Sequence, residues 1–79
     1  MELFPEVRAV VAKLLAIDAG EITPEAHLHF DLGADSLALE NLALTLSEKY
    51  DIEIKGEDLV ELENVGALVS LVESRVAVK

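Results

Sequence analysis

The residues of this chain that could most plainly take part in chemistry lie in the segment Asp31-Leu32-Gly33-Ala34-Asp35-Ser36-Leu37. Its serine presents a hydroxyl group, but no histidine, lysine or cysteine stands directly beside it in sequence. A serine that acts as a nucleophile needs a neighbouring base and an oxyanion site. A turn-forming glycine precedes this serine and a helical pattern follows it. The pattern therefore favours a displayed attachment point over a catalytic nucleophile.

Two histidines, His27 and His29, precede this segment and are the candidates for a base or a metal site. A base would have to fold back onto Ser36. With Asp31 the histidines make a poor metal-ligand spacing and no further ligand is evident, so we expect no metal site and solvated loop histidines. The pattern of a calcium-binding loop also fails, because Gly33 follows the first acid too early.

The composition limits what the rest of the chain can be. Seventy-nine residues make one small domain, 1–79, with a modest core. Hydrophobic residues make up 52% and aromatic residues only 4%, which favours a helical bundle. Charges interrupt every stretch long enough to cross a bilayer, and no signal peptide is evident. Cysteine is absent, which excludes disulfides and thiol catalysis and fits a cytoplasmic location.

The charge balance points to the kind of partner. Sixteen acidic residues against six basic residues give a formal net charge of −10. Such a surface repels nucleic acid and anionic membranes and attracts partners with basic patches. The plainer interpretation is that the charge only keeps a small domain soluble.

The first helix is predicted from Leu3 to Ile17, because apolar residues recur at helical spacing. Pro5 suits its first turn, and Gly20 is a plausible stop. Residues 20–35 then lack any period and predict a long loop, which is usually functional when ordered. We expect its apolar residues to anchor it to the core: Leu28, Phe30 and Leu32.

The second helix is predicted from Ser36 to Tyr50, with Asp35 or Ser36 as its cap. Leu37 and Leu44 fall on a different face from the core residues, so they are exposed unless a partner covers them. The alternative is that this central helix is buried on more than one side. Its core face should consist of Leu39, Leu42, Ala43, Leu46 and Tyr50.

The remaining residues predict a short helix and a final long helix. Residues 51–54 alternate in polarity but have no pairing partner, so we expect a loop. A short helix follows from Gly56 to Leu62, and Asn64 caps a last helix that ends near Val76. The predicted fold class is all-α, a four-helix bundle of three main helices and one short helix, with the long loop between the first and second. The last helix should face inward with Val65, Leu68, Val69, Val72 and Val76.

The Asp31-to-Leu37 segment resembles the acyl carrier proteins, which carry 4′-phosphopantetheine on the serine of an Asp-Ser-Leu motif. Residues 48–54 are similar to the end of that family's second helix and the loop after it, and the length, acidity and helix order agree. The resemblance implies a carrier and not an enzyme. Its cofactor site would be Ser36, the attachment residue, with Asp35 and Leu37 beside it.

By the same resemblance, a phosphopantetheinyl transferase would move the arm from coenzyme A onto Ser36 with the help of Mg²⁺. The arm's thiol would then carry acyl intermediates as thioesters, in fatty acid biosynthesis or in a specialised lipid or polyketide-type pathway. Acyl-transferring and synthase enzymes with basic patches would be the partners of a monomeric carrier. Their docking surface would be formed by Leu37, Glu40, Asn41, Leu44 and Glu48.

The resemblance also implies a pocket for the acyl chain between the second, third and fourth helices. The candidates for its lining are Leu42, Leu46, Ile54, Leu59, Leu62 and Leu68. The chain departs from the family where acids are frequent, since Ala38, Asn41 and Ser47 stand there instead. This leaves open an aminoacyl carrier of the D-alanyl or peptidyl type. A helical interaction module without a prosthetic group is a further alternative.

Overall fold

The computed structural model describes residues 2–78 and places four α-helices in them. These are α1 (Phe4–Leu15), α2 (Ser36–Tyr50), α3 (Gly56–Val60) and α4 (Val65–Ala77), with a 3-10 turn at Ala19–Glu21 between α1 and α2. No strand occurs in this part of the chain, including residues 51–54. The predicted all-α fold, with three longer helices and one short helix, is confirmed.

The ends of α1 show one correct and one wrong prediction. Pro5 lies in the first turn, where its missing N–H group is not needed. The helix ends at Leu15, two residues before the predicted end at Ile17, and its cap residue Ala16 adopts a left-handed conformation with φ of 57°. Gly20 is therefore not the stop; it lies in the 3-10 turn and donates its N–H to the Asp18 carboxylate at 3.0 Å. After the Ala16 cap, half-buried Ile17 packs against the core.

Side-chain caps fix the starts of the two longest helices after the loop. The carboxylate of Asp35 accepts the N–H of Ala38 at 2.8 Å, which sets the beginning of α2 at the predicted residue. The amide oxygen of Asn64 accepts the N–H of Ala67 at the same distance. Each cap satisfies a backbone donor that has no partner inside its helix.

The core lies between α1, α2 and α4 and receives apolar residues from the long loop and α3. The predicted inward faces of α2 and α4 are buried, with Tyr50 and Val76 half-buried at their ends. No buried side chain among the described residues is polar or charged. The buried residues are Val7, Val11, Ile22, Ala26, Leu28, Ala34, Leu39, Leu42, Ala43, Leu46, Ile54, Leu59, Val65, Leu68, Val69 and Val72.

The segment between α2 and α3 is attached to the bundle by side-chain hydrogen bonds. The hydroxyl of Ser47 donates to the Ile54 carbonyl at 3.0 Å and accepts the N–H of the same residue at 3.1 Å. The guanidinium of Arg75 donates to the Glu53 carbonyl at 2.7 Å. These bonds satisfy backbone groups that would otherwise pair in a strand, which explains why the alternating pattern forms a loop here.

The short helix α3 ends at Val60, two residues before the predicted end at Leu62. It begins at Gly56, which lies against α2. A Cβ atom added at Gly56 would be 2.8 Å from the Cγ atom of Glu40 and 3.2 Å from its Cα atom. The glycine therefore allows the two helices to approach closely.

Candidate functional site

Ser36 is the first residue of α2 and its side chain is exposed. The loop reaches it through Gly33, whose φ of +76° confirms the predicted tight turn. Residues other than glycine rarely adopt this conformation. The adjacent Asp35 uses one carboxylate oxygen to cap the helix, so the serine hydroxyl is not needed as the cap. The local sequence thus displays this hydroxyl at the positive end of a helix dipole.

An open, largely apolar cavity of about 380 Å³ lies beside Ser36. It is formed by the long loop, the start of α2 and α3. Leu39 contributes from α2, and the other side is closed by α3 and the residues that follow it. The lining residues are His27, Leu28, His29, Phe30, Ala34, Asp35, Ser36, Leu39, Leu59, Val60 and Leu62.

The two histidines of the loop organise its backbone, which the sequence did not predict. The Nδ1 atom of His27 accepts the N–H groups of His29 and Phe30, each at 3.1 Å. The Nδ1 atom of His29 lies 2.8 Å from the carbonyl oxygen of Ala34, two residues before the serine. The N–H of His27 donates to the Asp31 carboxylate at 2.7 Å. Both histidines lie in the loop as predicted, with His29 exposed and His27 half-buried, but they also bond to the loop backbone, which the prediction did not include.

Phe30 is the second departure from the sequence prediction. It was expected to anchor the loop, but its side chain is 81% exposed. Leu28 is buried and Leu32 is half-buried, so these two residues supply the anchoring. The ring of Phe30 contacts both imidazoles, with its centroid 4.5 Å from that of His27 and 5.1 Å from that of His29. These contacts place the ring at the mouth of the cavity instead of in the core.

The residues proposed for an acyl pocket fall into two groups. Leu59 and Leu62 line the cavity beside Ser36. The others are buried in the core and do not line it in this conformation: Leu42, Leu46, Ile54 and Leu68. Leu28 and Leu39 line it as well and were not among the candidates. Leu39 lies one turn after the serine on α2, so helical spacing alone is a signal that could have found it.

The residues proposed for docking share one exposed face of α2. Leu37 is 65% exposed and Leu44 is 59% exposed, so the alternative of a helix buried on more than one side is wrong. Glu40, Asn41 and Glu48 are exposed with them. Positions three, four and seven residues apart lie on the same side of a helix, so these five side chains form one continuous surface.

The residues that depart from the family pattern have different surroundings. Asn41 is exposed on the docking face, while Ala38 is half-buried and packs against the core. Ser47 is half-buried and bonded to the backbone of Ile54. An acid at position 47 would have to leave this site, so the serine has a structural reason.

The arrangement does not resemble a catalytic or metal centre. No hydrogen bond joins Ser36 to either histidine in the part of the chain that the structure describes. Residues 2–78 contain no cluster of three or more histidine or acidic side chains placed to hold a metal ion. They also contain no helix long and apolar enough to span a membrane. What the site offers is an exposed hydroxyl beside an apolar cavity.

Comparison with known proteins agrees with this geometry. The sequence model of the family described as "Phosphopantetheine attachment site" matches residues 5–72, which include the whole candidate site. The acyl carrier protein of Helicobacter pylori strain J99 is 45% identical over 73 residues, covering 92% of this chain and 94% of the relative. The acyl carrier protein of strain G27 of the same organism is 44% identical over the same length and coverage.

Proposed function

The chain belongs to the acyl carrier protein family, whose members carry covalently attached 4′-phosphopantetheine and do not themselves catalyse, and we propose that Ser36 is the attachment residue. The observation that carries this proposal is the exposed Ser36 side chain at the first position of α2, beside an apolar cavity. The whole of 1–79 acts in this proposal as one carrier domain.

The residues around Ser36 suit a phosphodiester. A phosphate on this oxygen lies at the amino end of a 15-residue helix, where the dipole and free N–H groups favour negative charge. One oxygen of the neighbouring Asp35 carboxylate caps the helix. The other is free to contact the Mg²⁺ of a phosphopantetheinyl transferase, since hard cations prefer oxygen ligands. Leu37 is exposed beside them and offers an apolar contact to that enzyme.

The bound arm supplies a terminal thiol that holds an acyl group as a thioester. The open cavity beside Ser36 offers an apolar chain contacts that remove part of its surface from water, because Leu39, Leu59 and Leu62 line it. Deeper entry of a chain requires α3 to move away from α2, which gives access to the predicted lining. That lining comprises Leu42, Leu46, Ile54 and Leu68.

Partner enzymes dock on the exposed face of α2 in this proposal. Leu37 and Leu44 supply apolar contacts, Asn41 supplies a hydrogen-bonding group, and Glu40 and Glu48 supply negative charge. Synthases and transferases with basic patches complement this face and the net charge of −10. We assign the carrier to fatty acid biosynthesis, the usual role of its family, and to the cytoplasm, where the absence of cysteine is compatible with reducing conditions.

Intact-mass measurement tests the attachment. The unmodified protein is incubated with coenzyme A, Mg²⁺ and a broad-specificity phosphopantetheinyl transferase. We expect one phosphopantetheine adduct in the wild type and in Ser70→Ala, which removes another exposed serine. We expect no adduct in Ser36→Ala. An unmodified wild type, under conditions that modify a control carrier, would show that the proposal is wrong.

Cargo is tested on the protein that has gained the adduct. We expect acyl-transferring enzymes to load fatty acyl groups onto the thiol, with a mass gain that hydroxylamine removes. Preferential loading by aminoacyl-activating enzymes would assign the chain to an aminoacyl pathway instead. This outcome would leave the attachment to Ser36 intact.

A further inference from the structure

The two loop histidines use the same ring atom in opposite ways. The Nδ1 atom of His27 faces two backbone N–H groups, those of His29 and Phe30. Both are donors, so this nitrogen accepts and carries no proton. The Nδ1 atom of His29 faces the Ala34 carbonyl, which can only accept, so that nitrogen donates and carries the proton. The loop geometry therefore requires a neutral His27 with its proton on Nε2, and a His29 that carries a proton on Nδ1.

Protonation has a different consequence at each ring. An imidazolium has N–H groups at both nitrogens and has no acceptor. His29 retains its bond to Ala34 when it is protonated, because Nδ1 is a donor in both states. His27 loses both of its bonds, and its new N–H points at the two backbone donors. Histidines ordinarily change charge between about pH 5 and 8, so this difference falls in an accessible range.

We propose that His27 is the positioning residue of the cavity mouth: its neutral ring holds Phe30 beside Ser36, and its protonation releases Phe30. The bonds to His27 fix the backbone at residues 29 and 30, and ring contact at 4.5 Å fixes the Phe30 side chain. Both rings line the cavity that contains Ser36. The link to acyl cargo rests on the proposed function, whereas the conformational change is a property of the unmodified chain.

The charged and titratable groups around His27 come from the loop and from the start of α2. Asp31 of the loop accepts the backbone N–H of His27, and Asp35 at the start of α2 lines the same cavity, as does His29. From α3 and the residues after it, only apolar side chains line the cavity, and the acids Glu57 and Glu61 are exposed and not part of the lining. The first two residues of α4, Val65 and Gly66, donate their backbone N–H groups to the loop carbonyls of Ala26 and Pro24.

The first test is ¹⁵N NMR of the imidazole rings in the unmodified protein at neutral pH. We expect His27 to carry its proton on Nε2 and His29 to carry its proton on Nδ1. Identical tautomers, or a protonated Nδ1 in His27, would overturn the proposal. No prosthetic group is needed, so this result is independent of whether Ser36 accepts phosphopantetheine.

The second test follows the Phe30 amide and ring signals as the pH falls through the titration of His27. We expect the hydrogen-exchange protection of the Phe30 amide to fall on the order of tenfold. The change should follow the titration of His27 and not that of His29. A signal that is constant across the titration of His27 would contradict the proposal.

Two variants separate a titrating acceptor from a merely structural residue. The Asn oxygen in His27→Asn accepts N–H groups at every pH, so we expect wild-type protection at neutral pH and no loss on acidification. His27→Leu has no acceptor, so we expect the low-protection state at every pH. If His27→Leu does not fold, the proposal is still tested by whether the Phe30 amide of His27→Asn keeps its hydrogen-exchange protection at low pH. A pH-dependent loss in His27→Asn that equals the wild-type loss would overturn the proposal.

Discussion

The two faces of α2 show how one helix serves stability and function separately. One face carries Leu42 and Leu46 in the centre of the core, where they are almost completely buried. The opposite face carries Leu37 and Leu44, which have the same side chain but are more than half exposed. Residue type is therefore not what distinguishes the faces. Only the position along the helical repeat decides whether a leucine stabilises the bundle or remains available to a partner.

This division explains why the helix is not more amphipathic in sequence. A helix with one face in the core and the other in contact only with water usually has polar residues on its outer face. Here apolar residues stand on the water-facing side too, next to Glu40 and Glu48. Exposed apolar groups within a charged surface are typical of sites that bind other proteins. Measurements of stability and of partner binding on the same variants therefore test whether the two sets of leucines have separate roles.

The largest effect is expected when a leucine is shortened on the buried face. Leu46→Ala removes a side chain that is 0% exposed and leaves a cavity among α1, α2 and α4. We expect the free energy of unfolding to fall by about 2–5 kcal/mol. Leu44→Ala makes the same chemical change on the other face and should alter it by less than about 0.5 kcal/mol. Urea denaturation measures both, and equal losses would show that the exposed face also belongs to the core.

A smaller loss is expected at the border between the faces. Ser47→Ala removes the hydroxyl that bonds to both the N–H and the carbonyl of Ile54. Because these half-buried groups lose their partner, we expect destabilisation of about 1–3 kcal/mol. Ser70→Ala on the exposed side of α4 is the matched control and should be near neutral. Thermal unfolding of the two variants side by side checks this, and similar midpoints would contradict a structural role for Ser47.

A still smaller effect is expected at the end of α2. The hydroxyl of Tyr50 donates to the Glu6 carboxylate at 2.9 Å and joins α2 to α1. Burial, that hydrogen bond and the negative charge of Glu6 raise the pKa of Tyr50 to about 12. Tyr50→Phe should therefore cost about 0.5 kcal/mol at neutral pH, since the pair is partly exposed.

The pH dependence of this contribution has a definite sign. The pKa of Tyr50 is above its ordinary value of 10, so its contribution is complete below pH 10 and is lost as the pH rises towards 12. Ultraviolet absorption of the phenolate gives the titration directly. A midpoint near 10 in the folded protein, or an equal alkaline loss of stability in Tyr50→Phe, would contradict this account.

Substitutions on the exposed face are expected to change stability least, while they weaken partner binding clearly. Leu37→Ala and Glu48→Lys should change the free energy of unfolding by less than about 0.5 kcal/mol. We expect each to weaken the binding of a partner synthase or transferase by about tenfold, with the effect of Glu48→Lys shrinking as salt rises. Glu2→Lys, which makes the same charge change at the start of α1, is the control. Unchanged Kd values would remove this face from the docking surface.

Much of this structure was predictable because it depends on local physical rules. Helical spacing gave α2 from Ser36 to Tyr50, and short polar side chains gave its cap at Asp35 and the cap of α4 at Asn64. The turn at Gly33 required a residue that tolerates positive φ. The exposed pair Leu37 and Leu44 also followed from the helical repeat alone.

The errors arose where the outcome depends on contacts between distant or non-repeating residues. Gly20 is a good helix stop by type, but α1 ends at Leu15 with Ala16 as a left-handed cap, and Ile17 packs against the core directly after it. Phe30 looked like a core anchor by type, but two imidazoles hold it at the surface. Ser47 looked like a missing acid, and its bonds to Ile54 were not visible in sequence.

The sequence by itself determined the helices, the acidic charge and the displayed serine, because each follows from the type and spacing of nearby residues. The tertiary structure alone decided which side chains form the cavity beside Ser36, since these come from the loop, α2 and α3. It also decided that His27 accepts while His29 donates. Those roles depend on which backbone groups the folded loop presents to each ring, and a one-dimensional pattern does not contain that geometry.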